Sequence, residues 1–235
     1  MKRLKITAIL GSVALFLSVL TSPLMAGSFG VGASGIGAYV ELSGKETLKG
    51  ASVAQTAKED AMVLMGEVYA QYSFDNGFAI GVGHIPGTSD LGTRNATRSD
   101  KRGSQTEVVT KKLNTASAEI SDFYSIYVET PGYGSGNGQG IFLKAASNQM
   151  TVNTTETLET GSSYGEDEVT GYTLGLGWKG SFSEDGKGLH AKFIAEYSDF
   201  DTLSFKGSAD DASEFSTITA DSETYGLKIS LGYNF

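Results

Sequence analysis

The sequence predicts an all-β chain folded as an eight-stranded antiparallel up-and-down transmembrane β-barrel, with short turns at one end and long loops at the other. Three observations carry this expectation. The last eleven residues, Tyr225 to Phe235, alternate large apolar with small or polar side chains. Successive strand residues face opposite sides, so Tyr225, Leu227, Ile229, Leu231, Tyr233 and Phe235 make one apolar face. Seven further segments keep the same period of two, and the connections between them alternate between short and long. After the first 26 residues no stretch approaches the ~20 apolar residues that a spanning helix needs.

The chain begins with a basic start (Lys2, Arg3, Lys5), an apolar run from Ala8 to Leu20, and Ser22-Pro23-Leu24-Met25-Ala26. This reads as a secretory signal peptide over residues 1–26, cut after Ala26, with residues 27–235 as one barrel domain. Losing the three basic residues leaves 15 Lys and Arg against 27 Asp and Glu, a net charge of −12. So acidic a chain is a poor partner for nucleic acid. It has no cysteine, so no disulfide braces an exported protein, and closure of the sheet must do so instead.

The first strand is expected near Ile36–Leu42, and the opposite parity of Phe29, Val31 and Ala33 predicts a bulge at Ser34-Gly35. The second runs from Leu64 to Phe74 with Leu64, Val68, Ala70, Tyr72 and Phe74 outward and Glu67, Tyr69 and Gln71 inward. Asp75-Asn76-Gly77 turns it into the third, where Phe78, Ile80 and Val82 face outward before Pro86. The fourth covers Glu119–Glu129 with Ile120, Tyr124, Ile126 and Val128 on one face, and the fifth Ile141–Gln149. Tyr172, Leu174, Leu176 and Trp178 mark the sixth; Leu189, Ala191, Phe193, Ala195 and Tyr197 the seventh; the terminal segment is the eighth. At ~3.3 Å rise per residue and ~45° tilt the last climbs roughly 23 Å, close to the ~25 Å apolar band of a membrane barrel. Phe74, Phe78, Trp178, Tyr233 and Phe235 would form one aromatic girdle, and Tyr172, Tyr197 and Tyr225 the other.

A soluble carrier barrel of lipocalin type would alternate equally well. The inner set argues against it, because glycines and charged groups would face inward beside an outer face of Leu, Ile, Phe and Tyr. The inward charges expected are Glu41, Glu67 and Glu196 with Lys144, Lys192 and Lys228, three of each sign. Such balance points to a lumen closed by internal ion pairs, since eight-stranded barrels are just wide enough for side chains to fill.

Other motifs read plainly. Gly30-Val31-Gly32-Ala33-Ser34-Gly35 matches a dinucleotide fingerprint but has no helix after it, and Gly186-Lys187-Gly188 lacks the spacing of a phosphate loop. Glu166-Asp167-Glu168 and Asp210-Asp211 lack calcium-loop spacing. His84 is expected outward near the long-loop rim with no serine nearby in sequence, and His190 in the lumen near the short-turn rim, away from any lipid headgroup. No catalytic, cofactor or metal site is therefore expected. The long connection 86–118 is basic, while 151–168 and 199–223 are acidic, so the loops would pair with one another or meet anionic lipopolysaccharide.

Signal, alternation, loop asymmetry and a terminal Phe together resemble the small bacterial outer-membrane β-barrels, the OmpA, OmpX and Opa-like surface-antigen group, over the whole mature chain. The resemblance implies an outer-membrane location with a structural or surface-interaction role and no enzymatic activity. It also implies contact with outer-membrane lipid and lipopolysaccharide, a monomer, and recognition of Tyr233 and Phe235 by the barrel assembly machinery. A narrow porin for small solutes is the alternative.

Overall fold

The computed structural model describes residues 27–47, 55–98, 112–134, 139–157, 163–183, 187–207 and 217–235. The signal peptide expected over 1–26 lies outside these residues, as do Lys101, Arg102 and Asp210-Asp211. Ten strands are described: β1 (Gly27–Thr47), β2 (Gln55–Phe74), β3 (Ala79–Ile85), β4 (Ser89–Arg98), β5 (Lys112–Glu129), β6 (Tyr133–Gly134), β7 (Gly140–Thr157), β8 (Glu166–Ser181), β9 (Gly188–Lys206) and β10 (Thr217–Asn234). Each main strand is antiparallel to its neighbours. Strand β1 pairs with β10, β5 pairs with β7, and the sheet closes on itself.

The ring has eight strands because β3 and β4 share one place in it, both pairing with β5, and the two-residue β6 continues the place of β5 beside β7. Pro86 and Gly87 divide them. Proline removes a ladder donor, and Gly87 holds a left-handed φ of 81°, so the strand cannot run straight through. On β5 the register slips between Ser121 and Tyr124, around Asp122 at a φ of 49°. The two irregularities lie side by side, since Ile85 pairs with Phe123 and Ser89 with Ile120.

The break has a consequence for the wall. Strand β2 pairs with β3 only from Val68 to Ser73, and among the described residues no pairing joins its remaining length, Gln55 to Glu67, to β4. One stretch of wall is thus a seam in the ladder.

Several expectations change in the structure. Strand β1 runs in unbroken register against both β2 and β10, so the predicted bulge at Ser34-Gly35 is absent. Ser34, Ile36, Ala38 and Val40 all face inward, because apolar clusters fill the far half of the lumen. Glu41, expected inward, is consequently exposed on the outer face opposite Glu223 and Asp60. Ile120, expected on the face of Tyr124, is buried inside because the slip at Asp122 inverts the parity. Much of the predicted long loops is strand: β1 and β2 pair as far as Glu46 and Gln55, β4 and β5 as far as Arg98 and Lys112, β9 and β10 as far as Lys206 and Thr217. Polar sequence pairs there through main-chain bonds, which need no apolar face.

Candidate functional site

The lumen holds the molecule's concentration of buried polar chemistry, and alternation places it there. On β9, Phe193, Ala195 and Tyr197 face out, so Lys192 and Glu196 face in; on β10, Leu227 and Ile229 face out and Lys228 in. Two tiers of charge result.

In the upper tier Lys228 Nζ lies 3.0 Å from Glu67 Oε2 and 3.4 Å from Glu196 Oε2, while Lys144 Nζ donates to Glu196 Oε1 at 2.7 Å. Ser34 Oγ donates to Glu67 Oε2 at 3.1 Å and shares a 2.9 Å bond with Ser230 Oγ. In the lower tier Lys192 Nζ donates to both oxygens of Glu129, at 2.7 and 2.9 Å, and to Gln71 Oε1 at 2.6 Å. Lys179 stands 3.7 Å from Glu129 and donates to the carbonyls of Thr130 (2.8 Å) and Gly77 (3.2 Å).

Aromatic rings fill the space around these charges. Lys144 Nζ sits 4.9 Å from the Tyr127 ring centre, and Lys192 Nζ 5.2 Å from that of Tyr69, within cation–π range. Lumen glycines admit the rings: a side chain at Gly32 or Gly232 would collide with the Tyr69 hydroxyl, and one at Gly81 with the Tyr127 ring. Tyr69 also shares a 3.0 Å bond with His190 Nε2.

Five of the six predicted lumen charges, Glu67, Lys144, Lys192, Glu196 and Lys228, come together here; Glu41 does not. The sequence reading missed Glu129 and Lys179. Both fall one residue beyond an assigned outward position (Val128, Trp178), so the same alternation would have placed them inside. With them, four ammonium groups face three carboxylates. His84 is outward, its ring stacked on Tyr124 at 4.5 Å and its Nδ1 donating to the Phe123 carbonyl at 3.0 Å. Arg94 of the basic segment pairs with Glu59 of β2 rather than with an acidic loop.

On the short-turn side of the plug a polar vestibule of about 470 Å³ opens to the exterior between Ser28, Asp75 and Lys187. On the other side two apolar clusters fill the lumen, beside buried Asn148, Thr173 and Ser222. One cluster comprises Ile36, Ala38, Val40, Val63 and Ile85, a second centres on Ile120, Met150, Phe200 and Leu203, and Leu91 and Phe123 pack against both. A 70 Å³ cavity lies between them above the plug, and a cup of about 670 Å³ opens beyond it. Among the described residues no group of His, Asp or Glu is arranged to hold a metal ion.

Outside, the apolar residues that would be buried in a soluble protein stand exposed, among them Leu174, Leu176, Phe193, Leu227, Ile229 and Leu231. Aromatic rings gather at the short-turn end, with Phe235 against Tyr233 at 5.1 Å and Phe29 at 6.5 Å; at the other limit Tyr197 meets Tyr225 at 5.3 Å. An apolar outer belt between aromatic girdles, around a lumen of paired charges, defines the outer-membrane class of β-barrel.

Solved structures of that class agree in fold. The chain superposes on the outer membrane protein OprG of Pseudomonas aeruginosa with a TM-score of 0.52, at 13% identity over 89% of this chain and 96% of that one. Weaker likenesses are to the outer membrane protease OmpT of Escherichia coli (TM-score 0.45, 6% identity, 91% and 99% covered) and to Ail, the attachment invasion locus protein of Yersinia pestis (0.35, 14%, 87% and 99%). No family model and no curated protein matches the sequence.

Proposed function

We propose that this chain is a closed, non-enzymatic outer-membrane barrel that stabilises the envelope or displays its extended strands to the exterior, and does not conduct. The carrying observation is the plug. Lys144, Lys179, Lys192 and Lys228 interlock with Glu67, Glu129 and Glu196 across the full width of an eight-stranded lumen, and such a lumen leaves little room beside its side chains. In this reading the short turns are periplasmic and the long strand ends extracellular. The outer belt meets lipid and lipopolysaccharide, Tyr233 and Phe235 serve the assembly machinery, and the barrel works as a monomer.

The vestibule and cup on either side of the plug favour the narrow porin as second reading, because only the two tiers separate them. Conductance in a planar bilayer decides. The purified protein is expected to give no steady channels, and long-lived open channels would overturn the closed barrel. Membrane insertion is read separately: unboiled and boiled detergent samples should migrate differently on a gel.

A further inference from the structure

The two tiers of the plug differ in charge balance. In the upper tier Lys144 and Lys228 meet two carboxylates, Glu67 and Glu196. In the lower tier Lys179 and Lys192 share one, Glu129. These two lysines stand directly opposite each other across β8 and β9, where like charges repel. Lys192 donates to both oxygens of Glu129 and to Gln71, which uses all its N–H groups. Lys179 donates to two main-chain carbonyls, and its carboxylate neighbour, 3.7 Å away, is too far for a hydrogen bond. One ammonium group is therefore in excess, and a buried excess is costly unless an anion compensates it.

The excess faces the vestibule. Its lining carries Lys179, Lys187 and Lys192 against Asp75 and Glu129, a positive pocket in a chain of net charge −9. His190, in the same lining and 5% exposed, points independently to a ligand. Its Nε2 shares a bond with the Tyr69 hydroxyl, the one bond of that hydroxyl among the described residues. The Tyr69 proton is satisfied only by going to Nε2, so the ring carries its own proton on Nδ1. That buried N–H meets no hydrogen-bond acceptor among the described residues; the Gly188 main chain lies close, outside hydrogen-bond geometry. Buried donors are rarely left in this state. Ser73 Oγ accepts from Gln71 Nε2 at 3.2 Å, which leaves its own proton for the vestibule.

We propose that the vestibule binds a small oxyanion, the phosphate or carboxylate group of a solute in the compartment facing the short turns, and that this anion supplies the charge the lower tier lacks. Lys179 pairs with Lys192 and Ser181 with His190, so Lys179 and His190 are diagonal neighbours on adjacent strands. Such neighbours lie ~7–8 Å apart, a span that one anion bridges by accepting from Lys179 Nζ through one oxygen and from His190 Nδ1 through another. The vestibule, about 470 Å³, is of the size that small-molecule sites use, ~300–1,000 Å³. The inference goes beyond the proposed function and holds for a detergent-folded barrel whether or not the lumen conducts.

The chain has two histidines, and His84 on the outer face serves as an internal reference for His190. Ring-nitrogen magnetic resonance of histidine-labelled protein, folded in a detergent without phosphate, therefore reads the site directly. The probes are inorganic phosphate and acetate at constant pH, each compared with chloride at equal ionic strength. Phosphate, acetate or both should move the His190 Nδ1 signal along a saturating curve and leave His84 unmoved, while chloride moves neither. In Lys179→Met the midpoint should rise about tenfold, the effect of losing one charge-assisted bond. The proposal is overturned if His190 is unmoved by both probes, or moves linearly and no more than in chloride. An unchanged midpoint in Lys179→Met that keeps the heat-shifted gel band also overturns it. If that variant does not fold, the titration of the parent protein decides alone.

Discussion

Lys228 on β10 and Glu67 on β2 meet inside the barrel at 3.0 Å although β1 stands between their strands. The reach is possible because the position between them is small: Ser34 of β1 lies opposite both Ser230 and Glu67, and donates to the same carboxylate. Both partners are almost wholly buried, so each charge depends on the other for the solvation that water would have given.

Replacing Lys228 by Ala should therefore cost ~3 to 5 kcal/mol, because Glu67 is left as a buried carboxylate held only by Ser34, and Glu196 loses one of two cations. Urea unfolding of the inserted barrel measures it. A cost of ~1 kcal/mol or less would mean that water already solvates these groups.

The lower tier should show pairwise coupling that the surface lacks. In a double-mutant cycle, Lys192→Met with Glu129→Gln is expected to give a coupling of ~2 to 3 kcal/mol, since bidentate contacts at 2.7 and 2.9 Å are buried. The same cycle on Arg94 and Glu59, both exposed, should give ~0.5 kcal/mol. Equal values in the two cycles would show that burial does not set the strength of the lower pair.

Glycine in the lumen is required by close approach. Gly81→Val places a branched side chain against the Tyr127 ring and should lower stability by ~1 to 3 kcal/mol, whereas Gly66→Val, with open space around it, should be nearly neutral. Thermal unfolding midpoints of the two variants provide the comparison. A neutral Gly81→Val would mean that Tyr127 moves freely.

The parts of the fold visible in the sequence are those where one face touches lipid. Trp178, Phe193 and Leu227 had to be outward, and each neighbour had to be inward, so Lys192, Glu196 and Lys228 were legible at once. Where both faces are apolar the alternation carries no sign: Ile36, Ala38 and Val40 read as an outer face, which puts Glu41, of opposite parity, inward. Asp122 concealed the inversion at Ile120, because a single non-glycine residue at positive φ leaves no compositional mark. The seam was invisible for another reason. Pro86 announced the end of β3, but only the pairing of β4 with β5 shows that the polar residues after it rebuild the wall without joining β2.

Phe235 separates assembly from stability. Its ring is 65% exposed, packs on Tyr233 and Phe29, and its main-chain N–H donates to the Phe29 carbonyl at 2.8 Å, closing the last rung of the β1–β10 ladder. A rim aromatic of this exposure contributes ~1 to 2 kcal/mol by burial, which is small beside a closed sheet of eight strands. Phe235→Ala keeps the main-chain bond and removes only the ring. Refolded from urea into detergent, this variant should unfold within ~2 kcal/mol of the parent. In cells it should insert much more slowly if the terminal aromatic is what the assembly machinery reads. Comparing the heat-shifted fraction on gels after a short pulse of synthesis tests the second half. An unchanged insertion rate in cells, with the loss in detergent as small as expected, would remove Phe235 from the assembly signal and leave it as a girdle residue alone.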